Sequence, residues 1–159
     1  MSAIISAMTA VDWDDPRVEE SWCGERRKEV AAYLSREGLS HGEIGLRPAW
    51  HVAPYISLWA IESLKRPGSV GWWAISGDLP TDYISSSSIR HPRQALRAFA
   101  DIWEDVASHM RAGTPHPSIS MGRPEMRPEL APILEKRVEI LRRFADDDSI
   151  WDVDDTLAD

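Results

Sequence analysis

The chain predicts an α+β fold, with an N-terminal helix, a small antiparallel sheet of two or three strands, and two C-terminal helices packed on the sheet. Three observations carry this. Asp14-Asp15-Pro16 opens a long segment that stops at Gly38. Two apolar, aromatic runs, residues 49–61 and 70–75, flank the turn sequence Lys65-Arg66-Pro67-Gly68-Ser69. Two segments with apolar residues at helical spacing follow, residues 92–112 and 129–145.

After a weakly specified leader over residues 1–12, an aspartate cap and Pro16 at the first helical position start a helix that runs to about Glu37. Its inward stripe passes through Val18, Trp22, Val30, Tyr33 and Leu34, and Glu19 and Arg26 fall near the middle of that stripe. Charge on an apolar face is costly unless satisfied, so Arg26 is a candidate site residue or the member of an ion pair with Glu19 or Glu29. Residues 40–48 form a connection with room for a short edge strand around residues 43–46.

Residues 49–61 are apolar on both alternating sets, which reads as a strand buried on both faces. Pro54 demotes the strand to an edge or a bulge there, and a helix beginning at Pro54 is the rival. The Lys65 to Ser69 turn folds this strand back on residues 70–75. Strands apolar on both faces need cover from helices or from a second subunit, which makes a homodimer a reasonable expectation. Beyond Gly77, the residues Asp78, Pro80, Thr81 and Asp82 read as a polar loop at a strand end.

Ser85 to Ser88 is a surface loop, and His91-Pro92 opens the second helix. Its stripe is Ala95, Leu96, Phe99, Ile102, Trp103, Val106, Ala107 and Met110, ended by Gly113 and Pro115. A proline-rich connection over residues 114–128 leads to the last helix, whose stripe is Leu130, Ile133, Leu134, Val138, Leu141 and Phe144, with Arg137 close to its centre. An acidic tail, residues 146–159, carries Ile150 and Trp151 as anchors.

At 159 residues the chain is the length of one ordinary domain, and 43% hydrophobic with 28% charged residues is globular. A net charge of -8 argues against a nucleic-acid binder driven by phosphate neutralisation and permits a basic protein partner. Cys23 is the single cysteine, which excludes an intrachain disulfide and fits a reduced cytoplasm. No window reaches the ~20 apolar residues of a membrane helix. Eight tryptophans against two phenylalanines point to a tryptophan-built core with one or two indoles lining a pocket or partner surface.

The segments Ala49-Trp50-His51-Val52-Ala53-Pro54-Tyr55, Gly71-Trp72-Trp73 and Ser76-Gly77-Asp78-Leu79-Pro80-Thr81-Asp82-Tyr83 resemble an uncharacterised bacterial family described only as a domain of unknown function. The resemblance covers roughly residues 22–151 and implies no activity, ligand or catalytic residue.

The candidate constellation joins Arg26 and Arg137, from two helices, to Asp78 and Asp82, with Tyr83, Trp50 and His51 nearby and Trp72 and Trp73 as further binding residues. Guanidinium pairs bidentately with carboxylate, so these groups form either a structural network or a site in which the arginines hold an anion. In the second case Asp78, Asp82 or His51 is the candidate base. The five histidines show no HExxH or HxH metal spacing, no phosphate loop or nucleophile elbow is present, and no cofactor is indicated. Asp152-Val153-Asp154-Asp155-Thr156 matches the DxDxT nucleophile pattern of haloacid-dehalogenase-type phosphatases, but the chain has no α/β body after it and the stretch reads as an acidic tail. Two functions remain. One is a non-enzymatic cytoplasmic binding or interaction module, and the other is a small hydrolase or transferase acting on an anionic small molecule.

Overall fold

The computed structural model describes residues 11–117 and 127–151, with the side chains of residues 127 and 128 excepted. The leader before residue 11, the middle of the proline-rich connection and the DxDxT stretch lie outside them. The chain divides into two compact units, Met1–Ser87 and Ser88–Asp159.

The first unit is a helix on an antiparallel sheet. Helix α1, Pro16–Arg36, starts where the sequence places it, with the Asp15 carboxylate accepting the Arg17 amide and Pro16 in the first turn. Gly38 ends it in the left-handed region, at φ 69°. The strands are β1, Trp50–Val52, β2, Ile56–Glu62, β3, Val70–Gly77, and β4, Leu79–Ser85, in the order β1-β2-β3-β4 with every pair antiparallel.

There are thus four strands where the sequence suggests two or three, for two local reasons. The apolar run over residues 49–61 is not one strand: it folds back at Ala53-Pro54, a cis peptide bond, so that Val52 faces Ile56. The stretch after Gly77 is likewise not a loop, because Asp78 alone makes the turn and Leu79 already pairs with Gly77. The expected edge strand near residues 43–46 is a single bridge, Ile44 to Ile61.

Val30 and Leu34 of α1 pack with Ile44, Trp59, Ile61 and Ala74, and Tyr33, Trp72 and Tyr83 close the rim of that core. Arg27 fastens α1 to the connection by donating to the carbonyls of Gly45 and Ile44 at 2.9 and 2.7 Å. Ile56, Leu58 and Ile75, whose side chains alternate to the other face of the sheet, are also buried.

The second unit pairs α2, Pro92–Ala112, with α3, Arg127–Asp146, followed by a short 3-10 turn, Asp148–Ile150. The predicted stripe of α2 is buried at Ala95, Leu96, Phe99, Trp103, Val106, Ala107 and Met110, and Gly113 caps the helix at φ 73°. On α3 the buried face runs through Ala131, Leu134, Val138, Leu141 and Ala145, leaving Ile133 exposed. Trp151 returns as an anchor, buried, with Nε1 donating to the Phe144 carbonyl at 3.0 Å and its ring 5.6 Å from His91, while Ile150 stays exposed. Among the described residues no helix is long and apolar enough to cross a membrane.

Candidate functional site

A polar chain runs through the first unit from its core to its surface. The Trp59 indole, fully buried, donates to Ser57 Oγ at 2.9 Å, and Ser57 donates to the Ser76 carbonyl at 2.9 Å. The hydroxyls of Ser76 and Thr81, each at 2.8 Å, both donate to Glu29 Oε1. Glu29 Oε2 then meets Arg26 at 3.2 Å. Glu29 lies on α1 while Ser76 and Thr81 lie on neighbouring strands, so this carboxylate ties helix to sheet and fixes the start of the arginine stem.

The Arg26 guanidinium lies 5.7 Å from the Trp22 ring centre, within cation–π range. Its Nε is buried without a hydrogen-bond partner among the described residues. Trp22 meets Trp13 edge to face at 6.5 Å and stacks on His51 at 6.4 Å. His51 in turn donates from Nε2 to Glu19 Oε1 at 2.6 Å, which locks β1 against α1. On the outside of these groups is an open groove of about 570 Å³, lined by Trp13, Arg17, Val18, Ser21, Trp22 and Arg26 together with Asp15 and Glu25. It places two indoles beside two guanidinium groups and two carboxylates, with Arg17 paired to Asp15 at 3.3 Å.

Within the first unit, the residues singled out from sequence fall into separate places. Arg26 and His51 gather around Trp22, with Glu29 and Glu19 as their respective partners. Asp82 pairs across the sheet with Ile75, is 8% exposed, and accepts the Tyr83 amide at 2.8 Å, with the Tyr33 hydroxyl 3.5 Å away. Burial above all, and the nearby carboxylates of Glu37 and Asp82, push the Tyr33 phenol well above its ordinary range. Tyr83 packs edge-on to Tyr33 at 6.1 Å. Asp78 occupies the β3–β4 turn, exposed, with its amide donating to the Tyr55 carbonyl at 2.9 Å. Trp72 closes the rim of the α1 core, Trp73 is buried, and Trp50 is half-buried opposite Leu58. Arg137 is half-buried on α3 in the second unit.

Sequence reasoning misses Ser76 and Thr81 as the handles that hold Glu29, Ser57 as the hydroxyl that links Trp59 to Ser76, and Trp13 and Arg17 as groove residues. Trp13 carries a usable signal: an indole just before a helix cap lies outside the helix and cannot join the buried stripe of α1.

No curated protein and no solved structure matches the chain. A family model does, over residues 17–151, which takes in α1, all four strands and the helices of the second unit. The chain therefore belongs to the family described as "Domain of unknown function (DUF4826)".

Proposed function

We propose that this protein is a non-enzymatic binding module of the bacterial cytoplasm, and that the α1 groove takes a partner segment presenting an apolar anchor beside a carboxylate. The observation that carries the reading is Arg26: a guanidinium held over Trp22, at an open groove, with no partner for its Nε among the described residues. A buried donor without a partner costs about 1–3 kcal/mol. A small turn of the guanidinium toward the groove offers its Nε–Nη edge to an incoming carboxylate, the bidentate geometry in which arginine pairs most strongly. Trp13 and Trp22 supply the adjoining apolar wall, and tryptophan with arginine is the combination that dominates binding energy at protein interfaces.

The aspartates favoured by the catalytic alternative are placed otherwise. Asp82 is engaged by the Tyr83 amide, and Asp78 is a turn residue; neither lines the groove that holds Arg26. A single, buried, free cysteine is in keeping with a reducing, cytoplasmic setting.

Selection from a displayed peptide library tests the reading. Binders should share an aromatic or leucine anchor next to Asp or Glu, and should lose affinity at least about tenfold, ~1.4 kcal/mol, against Trp22→Ala. Selected sequences without an acidic position, or binders indifferent to Trp22→Ala, would count against it. A second copy of the chain is the other occupant the sequence suggests, and a dimer that dissociates on Trp22→Ala would identify it.

A further inference from the structure

The far end of α2 carries a cluster of metal-ligating side chains that is independent of the α1 groove. Asp105 and His109 are four residues apart, so the helix presents both on one face. Gly113 then reverses the chain in the left-handed region, and the Thr114 amide returns to the His109 carbonyl at 3.0 Å. This reversal brings His116 back beside the helix, where its Nε2 donates to Asp105 Oδ2 at 2.7 Å. The two imidazoles meet at 4.9 Å between ring centres, inclined at 65°. One ligand atom from each of Asp105, His109 and His116 lies within 4.8 Å of the others.

The hydrogen bonding prepares these groups for a cation. His109 Nδ1 is 2.8 Å from the Asp105 carbonyl, which can only accept, so Nδ1 carries a hydrogen and Nε2 is the ring nitrogen left for a cation. A backbone carbonyl holding the second ring nitrogen is the usual way a metal-binding imidazole is oriented. The side chains of His116 and His109 are 12% and 29% exposed, enough packing to fix them, while Asp105 is 60% exposed and leaves the site open to solvent. A plain helix-capping charge pair explains one histidine beside Asp105. It does not explain two imidazoles converging on the same carboxylate.

We propose that Asp105, His109 and His116 form a binding site for a divalent transition-metal ion, zinc foremost, with a fourth position left to water or a ligand. Two imidazoles and one carboxylate suit zinc, cobalt(II) or nickel(II) rather than calcium or magnesium, which prefer all-oxygen sites. On tetrahedral zinc, ligand atoms at 2.0–2.1 Å stand about 3.3 Å apart. Small side-chain rotations therefore close the cluster, with the cation taking the place of the proton between His116 and Asp105.

Tag-free, metal-stripped protein titrated with zinc chloride by calorimetry, and with cobalt(II) by visible absorption, tests this. One zinc per chain is expected, with His109→Gln and His116→Gln each weakening binding by about tenfold or more and His41→Gln, in the other unit, leaving it unchanged. Asp105→Asn, which keeps the side-chain shape, should weaken binding as well, and the imidazole NMR signals of His109 and His116 should be the ones that move on metal addition. Absence of saturable binding up to ~1 mM zinc, weaker than about -4 kcal/mol, would overturn the proposal. So would binding that survives both histidine substitutions, or metal-induced shifts confined to other histidines.

Discussion

Two glycine-to-alanine substitutions in the first unit should move stability in opposite directions. Gly77 has φ 146°, and a Cβ built there would stand 2.2 Å from the Tyr55 carbonyl oxygen and 2.9 Å from its carbon. Neither can simply move aside, since that oxygen accepts the Asp78 amide at 2.9 Å and Tyr55 sits in the turn that joins β1 to β2. Left-handed backbone costs an alanine about 1–2 kcal/mol, and loosening the Asp78 to Tyr55 bond adds about 1 kcal/mol. Gly77→Ala should therefore cost about 2–3 kcal/mol, enough to lower the melting temperature of a unit this size by about 10 °C or more. Gly24 lies inside α1, exposed, and a Cβ added there would meet nothing within 4 Å. Gly24→Ala should stabilise by about 0.5–1 kcal/mol. Urea titration followed by circular dichroism reads both. A Gly77→Ala variant within ~0.5 kcal/mol of the parent, the range of an ordinary surface change, would refute the packing argument for the β3–β4 turn.

Three further outcomes follow from the polar groups of the same unit. Glu29→Ala strips the acceptor from Ser76, Thr81 and Arg26 together and should cost about 1–3 kcal/mol, read as faster hydrogen exchange in α1. Tyr33 has a raised phenol pKa, so its contribution is complete below the ordinary tyrosine range and is lost as pH rises through the raised value; Tyr33→Phe should flatten the alkaline limb of a stability–pH curve. Glu62 accepts the amides of Gly68 and Glu43, and these bonds hold its carboxyl below the usual range. Its contribution is therefore complete above that range and is lost as pH falls through the depressed value, so Glu62→Gln should reduce the acid dependence of urea midpoints.

What is legible in the sequence is what short stretches of chain decide on their own. Asp15 with Pro16, and Gly113 after Met110, fix helix ends through caps that need no distant partner. Pro54 and Gly77 are visible as interruptions, yet a run of apolar residues does not say whether a proline bends one strand or separates two. The α3 stripe departs from expectation at Ile133, which is exposed while Ala131 and Ala145 are fully buried, because hydropathy ranks isoleucine above alanine whichever side of the helix is covered. Glu19 is recognisable as a charge on an apolar face, but its partner His51 is 32 residues away, and only the folded sheet brings them together. Ser57, Ser76 and Thr81 give no signal at all, since a hydroxyl in a strand looks the same whether it faces water, a buried indole or a helix carboxylate. His116 is equally silent: its place beside Asp105 depends on the reversal at Gly113, not on any metal spacing along the chain.

The groove on α1 is the claim on which the functional reading rests, and a paired-arginine experiment tests it most directly. The peptide chosen by library selection would be titrated calorimetrically into the parent, into Arg26→Gln, and into Arg111→Gln, a variant of an ion-paired arginine in the second unit. The account predicts a loss of about tenfold or more for Arg26→Gln, ~1.4 kcal/mol, and parental affinity for Arg111→Gln. Equal affinity for all three proteins would contradict it.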